Sequence, residues 1–394
     1  MSKYNFDEIF DRRGTGAKKF DNLMEVAGRD DLMPFWIADM DFASPPCIVE
    51  AMRKRLEHPV FGYHKTPDDY YPTISKWIRN LHGWDVDPSH IIFLPGIVRA
   101  LCHTLEVFAK PGDKVVIMTP VYHEFRLVIE QHGLEAVEAP MKQIEKDGRL
   151  TGYEIDFECL DEKLSMDGAR FLIIANPQNP AGICWSREDL IKVAKIAYAH
   201  GTTVIDDEIF SEMALPGYKH IPFQTVCPEA AANTITYMAP SKTFNLSGII
   251  TSYCIINNDE MREKFFTFIV NDEVDHLNMF QSEATLAAYK YGAEWREEML
   301  EYVAGNVDYV CDFLEKNVPL IHPLRPQAGF LVWFDCRAMG LSGARLTEFF
   351  QEKAHLAINE GSMYGTGGEG FVRFNVGCPR SVLEQAMKQL KEAF

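Results

Sequence analysis

The chain has 394 residues, 47% of them apolar, enough to bury a sizeable core and to form two or three domains. Its 57 acidic against 39 basic residues leave a formal net charge of −18, which argues against nucleic acid or an anionic membrane as partner. A chain so negative that binds a phosphate must do so locally, through backbone N–H groups or a few placed cations.

The first twenty residues, MSKYNFDEIFDRRGTGAKKF, mix both charges and lack an apolar stretch, so no secretory signal is expected. No run is long and apolar enough to span a membrane. Short β-branched runs then predict strands at Ile91–Leu94, Lys114–Met118, Phe171–Ala175, Thr203–Asp206, Thr234–Met238 and Ser252–Ile256. Helical patterns fall between several of them, at Arg99–Phe108, Glu124–His132 and Arg187–His200. This alternation predicts an α/β fold, a mostly parallel sheet covered by helices, with ligands beyond the carboxyl ends of the strands. After about Glu283 the pattern changes to a long interrupted helical region, Ala284–Lys316, then strands Phe330–Asp335 and Gly370–Val376 and a closing helix from Arg380. The expected division is an N-terminal segment (1–45) joining a smaller α+β domain (284–394), with a large domain (46–283) between them. The nine cysteines are scattered with no CxxC pair, and there is no HExxH, so reduced thiols in a cytoplasmic protein and no metal site are expected.

Three strand ends carry polar residues that a packed core does not explain. Phe171–Ala175 runs into NPQNPAG (176–182), Thr203–Asp206 into Asp207-Glu208-Ile209-Phe210, and Thr234–Met238 into APSKTFN (239–245). Taken singly, each has a bland reading: turn chemistry, a capping aspartate, a solvated lysine. Parallel strands would gather an amide, a carboxylate and a lysine at one mouth. The run Gly365–Gly370 fits GxGxxG but precedes a strand instead of opening a helix, so a dinucleotide site is not expected.

NPQNPAG, VIDDEIF and APSKTFN, with WIADMDFASPP, FGYHKTPD, PGIVRAL, TPVYHEF and VRFNVGC, resemble the signature series of the class I/II aminotransferases, fold-type I enzymes dependent on pyridoxal 5'-phosphate (PLP). The resemblance extends over nearly the whole chain. It implies a large PLP-binding domain, amino-acid substrates, and a homodimer whose active sites are shared across the interface. It implies that Lys242 carries PLP as a Schiff base and that Asp207, with Asp206 the alternative, faces the pyridine nitrogen. Asn179 matches the residue that hydrogen-bonds the phenolic oxygen, and Tyr122 the aromatic that stacks on the ring. The phosphate would sit where Gly96, Ile97 and Val98 open a helix, with Ser241 adding a hydroxyl and Tyr63 reaching in from the neighbouring subunit. Arg373 matches the arginine that takes the substrate α-carboxylate, and Phe35, Trp36 and Tyr364 are candidates for the substrate side-chain pocket.

Two departures narrow the reaction. Ile250 stands eight residues after Lys242, where many family members have a phosphate-gripping arginine, and Phe210 stands where many have tyrosine. Both, with WIADMDF and SKTFNLSG, resemble the cystathionine β-lyase-like subgroup of MalY/PatB type. That implies β-elimination on cystathionine, cysteine or another S-substituted cysteine, with Lys242 as base and Lys242 or Tyr122 as proton donor. Transamination is the alternative, since it shares every step through the carbanion. A PLP-bound regulatory protein is a third.

Overall fold

The computed structural model describes residues 3–394. Seven strands form its central sheet: β1 (Ile91–Leu94), β2 (Lys114–Ile117), β3 (Glu135–Glu138), β4 (Ala169–Ala175), β5 (Thr203–Asp207), β6 (Thr234–Met238) and β7 (Ser252–Ile256). Their spatial order is β1-β7-β6-β5-β4-β2-β3. Neighbours run parallel except around β7, which is antiparallel to both β1 and β6. β1, β6 and β7 are buried along their whole length, which is why none of them shows a polar, solvent-facing alternation of charged residues.

Alternate residues of β4 serve opposite faces. Leu172 and Ile174 pack with Leu160, Leu190 and Val193, from helices Phe157–Leu164 and Arg187–Ala199. Phe171 and Ile173 pack with Leu101, Phe125 and Ile129, from helix α1 (Ile97–Phe108) and helix Glu124–Gln131. The fold is therefore α/β, a mostly parallel sheet covered on both faces.

The six strands expected from sequence are present, with their ends moved by two residues at most. Two features were missed. β3 is a short polar edge strand that resembles no apolar run. The hairpin Lys142–Lys146/Arg149–Glu154 turns at Asp147 and Gly148, with φ of 52° and 73°. That Asp-Gly pair is a hairpin signal that was available in the sequence.

The expected helical region after residue 283 is two helices, Met279–Tyr291 and Ala293–Asn317, separated at Gly292. A Cβ on Gly292 would lie 2.5 Å from the Ala288 carbonyl and 2.6 Å from the Phe244 ring. The boundary expected between residues 283 and 284 falls inside the first of these helices. Beyond them, His322–Leu324, Leu331–Asp335, Phe371–Asn375 and Asn359–Glu360 form a four-stranded antiparallel sheet in that spatial order. The N-terminal segment reaches it: Met33–Pro34 pairs in parallel with Leu356–Ala357, and Phe35 stacks on Phe374 at 4.3 Å. Among the described residues no helix is long and apolar enough to cross a membrane.

Candidate active site

The carboxyl ends of β4, β5 and β6 open onto one cavity of about 320 Å³. Of the residues chosen from sequence, Ile97, Val98, Tyr122, Asn179, Asp207, Ser241 and Lys242 line it, and Phe210 and Ile250 line it too. Parallel strands entering one loop layer bring these together from far apart in the chain.

Lys242 stands four residues past the end of β6, and its Nζ donates to the Ala38 carbonyl at 2.6 Å. Burial lowers its pKa to about 8, against an upward pull from Asp39. At pH 7 about one such amine in ten is neutral, against roughly one in three thousand for an unshifted lysine.

The strap that presents Ala38 is held from three sides. Asn245 Nδ2 donates to the carbonyls of Met40 and Phe42, at 2.9 Å each, and Asn375 Nδ2 donates to those of Ile37 and Asp39. Asp41 pairs with Arg12 at 2.6 Å and with Lys19, itself buried, at 2.7 Å. Sequence reading missed these roles. The Asn of SKTFN, the Asn of VRFN and the aspartates of ADMD fix the strap over the lysine, and only three-dimensional proximity shows it.

Strand alternation separates the two aspartates of β5. Asp207 lines the cavity and accepts from the Ile209 N–H at 3.0 Å, and burial raises its pKa to about 6. Asp206 points the other way and accepts from Thr236 at 3.2 Å, beside buried Glu208. Glu208 accepts from the Phe223 N–H and from His220, each at 2.8 Å. Burial pushes the Asp206 and Glu208 carboxyls upward, so one of the two keeps a proton at neutral pH.

Arg373 is 3% exposed and makes no ion pair among the described residues; it is not the surface pair that a strand-end arginine ordinarily makes. Its Nη1 donates to Asn179 Oδ1 at 3.2 Å, its Nη2 donates to the Trp36 carbonyl at 3.1 Å, and its Nε is buried without a partner. The Tyr364 ring lies 5.2 Å from the guanidinium. Among the described residues the Asn179 amide NH₂ makes no hydrogen bond; its Oδ1 is the atom that meets Arg373. Tyr122 has a pKa raised by burial and stays protonated at neutral pH.

At the other end of the cavity, Gly96 takes φ 100° and α1 begins at Ile97, two residues before the expected start. Ser241 lines this end, as does Ser247, whose hydroxyl is buried and unpartnered. Five of the residues chosen from sequence do not line the cavity of their own chain: Arg373 meets it only through Asn179, Tyr364 lies behind Arg373, and Trp36 donates to the Lys19 carbonyl at 3.0 Å. Tyr63 is fully exposed (111%) in the connection between helices Pro46–Leu56 and Tyr70–His82, and Phe35 is core, stacked on Phe374. The glycines of 365–370 form a turn into Phe371–Asn375, with no helix following.

A neutralisable lysine, a strand-end aspartate and a helix N-terminus around one cavity of this sheet define the class: fold-type I PLP-dependent enzymes. The chain belongs to the aminotransferase class I and II family, whose model matches residues 30–390. Within it, the chain is 39% identical to cystathionine beta-lyase PatB of Bacillus subtilis over 99% of both chains. It is 32% identical to protein MalY of Escherichia coli over 99% of this chain and 98% of that one. Among solved structures it resembles PLP-containing cystalysin from Treponema denticola (TM-score 0.93, 32% identity) and a PLP-bound C–S lyase from Staphylococcus hominis (TM-score 0.91, 31% identity). Each covers 99% of this chain and 98% of its own.

Proposed function

We propose that this chain is a PLP-dependent carbon–sulfur lyase, acting by β-elimination on cystathionine, cysteine or a related S-substituted amino acid. The observation that carries the PLP chemistry is the partly desolvated Lys242 amine in the same cavity as Asp207. The likeness over the full chain to PatB, MalY and the C–S lyase structures favours elimination over transamination.

The residues fit the cofactor. Lys242 would hold it covalently, and Asp207 would keep a proton on its pyridine nitrogen. The free NH₂ of Asn179 would donate to its phenolic oxygen, Tyr122 would cover its ring, and Ile97, Val98 and Ser241 would face its phosphate. When bound, PLP supplies an electron sink for charge developing at the substrate Cα.

The protein's own part is binding and proton transfer. Arg373 receives the α-carboxylate through its guanidinium, which no protein carboxylate occupies. The Lys242 amine, in the same cavity, would accept the Cα proton. The Cβ–S bond then breaks, and the sulfur leaves as a thiol with a proton from Lys242 or from Tyr122. Water converts the remaining aminoacrylate to pyruvate and ammonia. Incubation with L-cystathionine or L-cysteine, without any keto acid, should give sustained pyruvate together with thiol or sulfide. Turnover only when an amino donor and a keto acid are both present would reassign the chain as an aminotransferase.

The assembly we propose is a cytoplasmic homodimer with shared sites, and a two-domain protomer in which residues 1–45 join the C-terminal domain. All nine cysteines are free thiols, which suits a reducing compartment. Val49, Leu56, Val60, Phe61 and Tyr63 are exposed in one stretch, an apolar surface that a second copy would cover. If Tyr63 reaches the partner's phosphate, Tyr63→Phe weakens PLP binding while the dimer persists in analytical ultracentrifugation. Unchanged affinity would remove Tyr63 from the site.

A further inference from the structure

We infer that Arg99 is the cation that neutralises the cofactor phosphate in this chain, in place of the arginine that Ile250 displaces. The inference rests on the PLP reading above and adds a ligand that reading does not contain. A phosphate monoester carries between about one and a half and two negative charges at neutral pH. Backbone N–H groups of α1 and the hydroxyls of Ser241 and Ser247 can solvate such a group, but they bring no full positive charge.

Among the described residues, only two cationic side chains line the cavity, Lys242 and Arg99. The Lys242 amine is committed to holding the cofactor, and Arg373 is engaged with Asn179 and the Trp36 carbonyl. Ile250 brings an apolar side chain and no charge to the α1 entry: its Cγ2 lies 3.2 Å from where a Cβ on Gly96 would stand. It also holds φ at 55°, a conformation β-branched residues rarely adopt.

Arg99 is the third residue of α1, where the helix dipole favours anions and disfavours cations. No acidic residue occupies that first turn. Arg99 is exposed and makes no hydrogen bond or ion pair among the described residues, in a chain whose net charge is −18. Left alone, the guanidinium is poorly placed. An anion bound at the α1 N-terminus reverses the sign of that local effect, because the arginine then faces the phosphate with donors in a planar fork.

The test compares PLP with pyridoxal, the same aldehyde without the phosphate, titrated into cofactor-free protein and followed by intrinsic fluorescence. Arg99→Gln should weaken PLP binding about tenfold or more while leaving pyridoxal affinity nearly unchanged. Arg99→Lys, which keeps the charge but loses the fork, should fall between. Raising ionic strength from about 0.05 M to about 0.5 M should narrow the gap between wild type and Arg99→Gln. Thermal melting of the cofactor-free variants checks the fold, and Arg99→Lys carries the test should Arg99→Gln prove unstable. A ratio of PLP to pyridoxal affinity equal to wild type in both variants overturns the assignment of Arg99 alone. A wild-type protein that binds neither compound overturns the PLP reading and this inference with it.

Discussion

Lys242→Ala yields a folded protein with no covalent cofactor and with lyase turnover reduced roughly 10⁴-fold or more. The size follows from the two tasks joined in one amine. As a general base the group contributes on the order of 10²–10⁴, and as the nucleophile that anchors the cofactor it determines whether the reacting atoms meet at all. The fold should survive, because the amine's one hydrogen bond within the protein is to the Ala38 carbonyl, on a strap that Asn245, Asn375 and the Asp41 ion pairs hold independently. Borohydride reduction followed by peptide mass analysis checks the covalent part: wild type should carry the cofactor mass on the peptide containing residue 242. A reducible adduct persisting in Lys242→Ala would place the attachment elsewhere and overturn the mechanism proposed here.

The strand ends that meet at this cavity were legible because buried strands are written as largely apolar runs with polar residues immediately after them. Asn179, Asp207 and Lys242 each stand a few residues beyond such a run, and the sheet brings them to one cavity. The choice of Asp207 over Asp206 came from the resemblance, and the pleat sends the two to opposite sides, with Asp207 on the cavity. What the sequence hid is contact between distant segments. Nothing in WIADMDF announces that its backbone lies over Lys242, or that two asparagines, 245 and 375, hold it there. The unpartnered state of Arg99 is equally invisible without coordinates, since a lone arginine in PGIVRAL looks like any solvated charge. The edge strand β3 was unreadable for another reason: an edge carries polar residues on its open side, so Glu135 and Glu138 break the apolar pattern.

Asp207→Asn should make the cofactor-free protein more stable and the enzyme far less active, and the opposition of the two effects is the informative part. Burial is the largest cause of the raised Asp207 pKa, about 6 against 3.8 for the free group, and the hydrogen bond from Ile209 and the charge of Lys242 offset it only partly. In the unfolded chain the carboxyl ionises near 3.8, while the folded protein holds its proton until about 6. Between those values the folded state binds more protons, so stability falls as pH rises and the loss is complete above about pH 6. A shift of about two units corresponds to roughly 3 kcal/mol at neutral pH. The asparagine keeps an oxygen for the Ile209 N–H and carries no charge. Its chemical denaturation midpoint should therefore exceed wild type at pH 7 and converge with it near pH 4. Asp206 and Glu208 are raised in part by the Asp207 charge, so the difference between the two curves reports Asp207 together with its coupling to that pair. With cofactor bound, the same substitution removes the negative charge opposite the pyridine nitrogen, and kcat should drop by roughly two to four powers of ten. A variant that is less stable than wild type at pH 7, with the same pH dependence, would mean that the carboxylate is already compensated without the cofactor. The strain assigned to Asp207 would then be absent, and with it the argument that the cavity is built around a positive ring nitrogen.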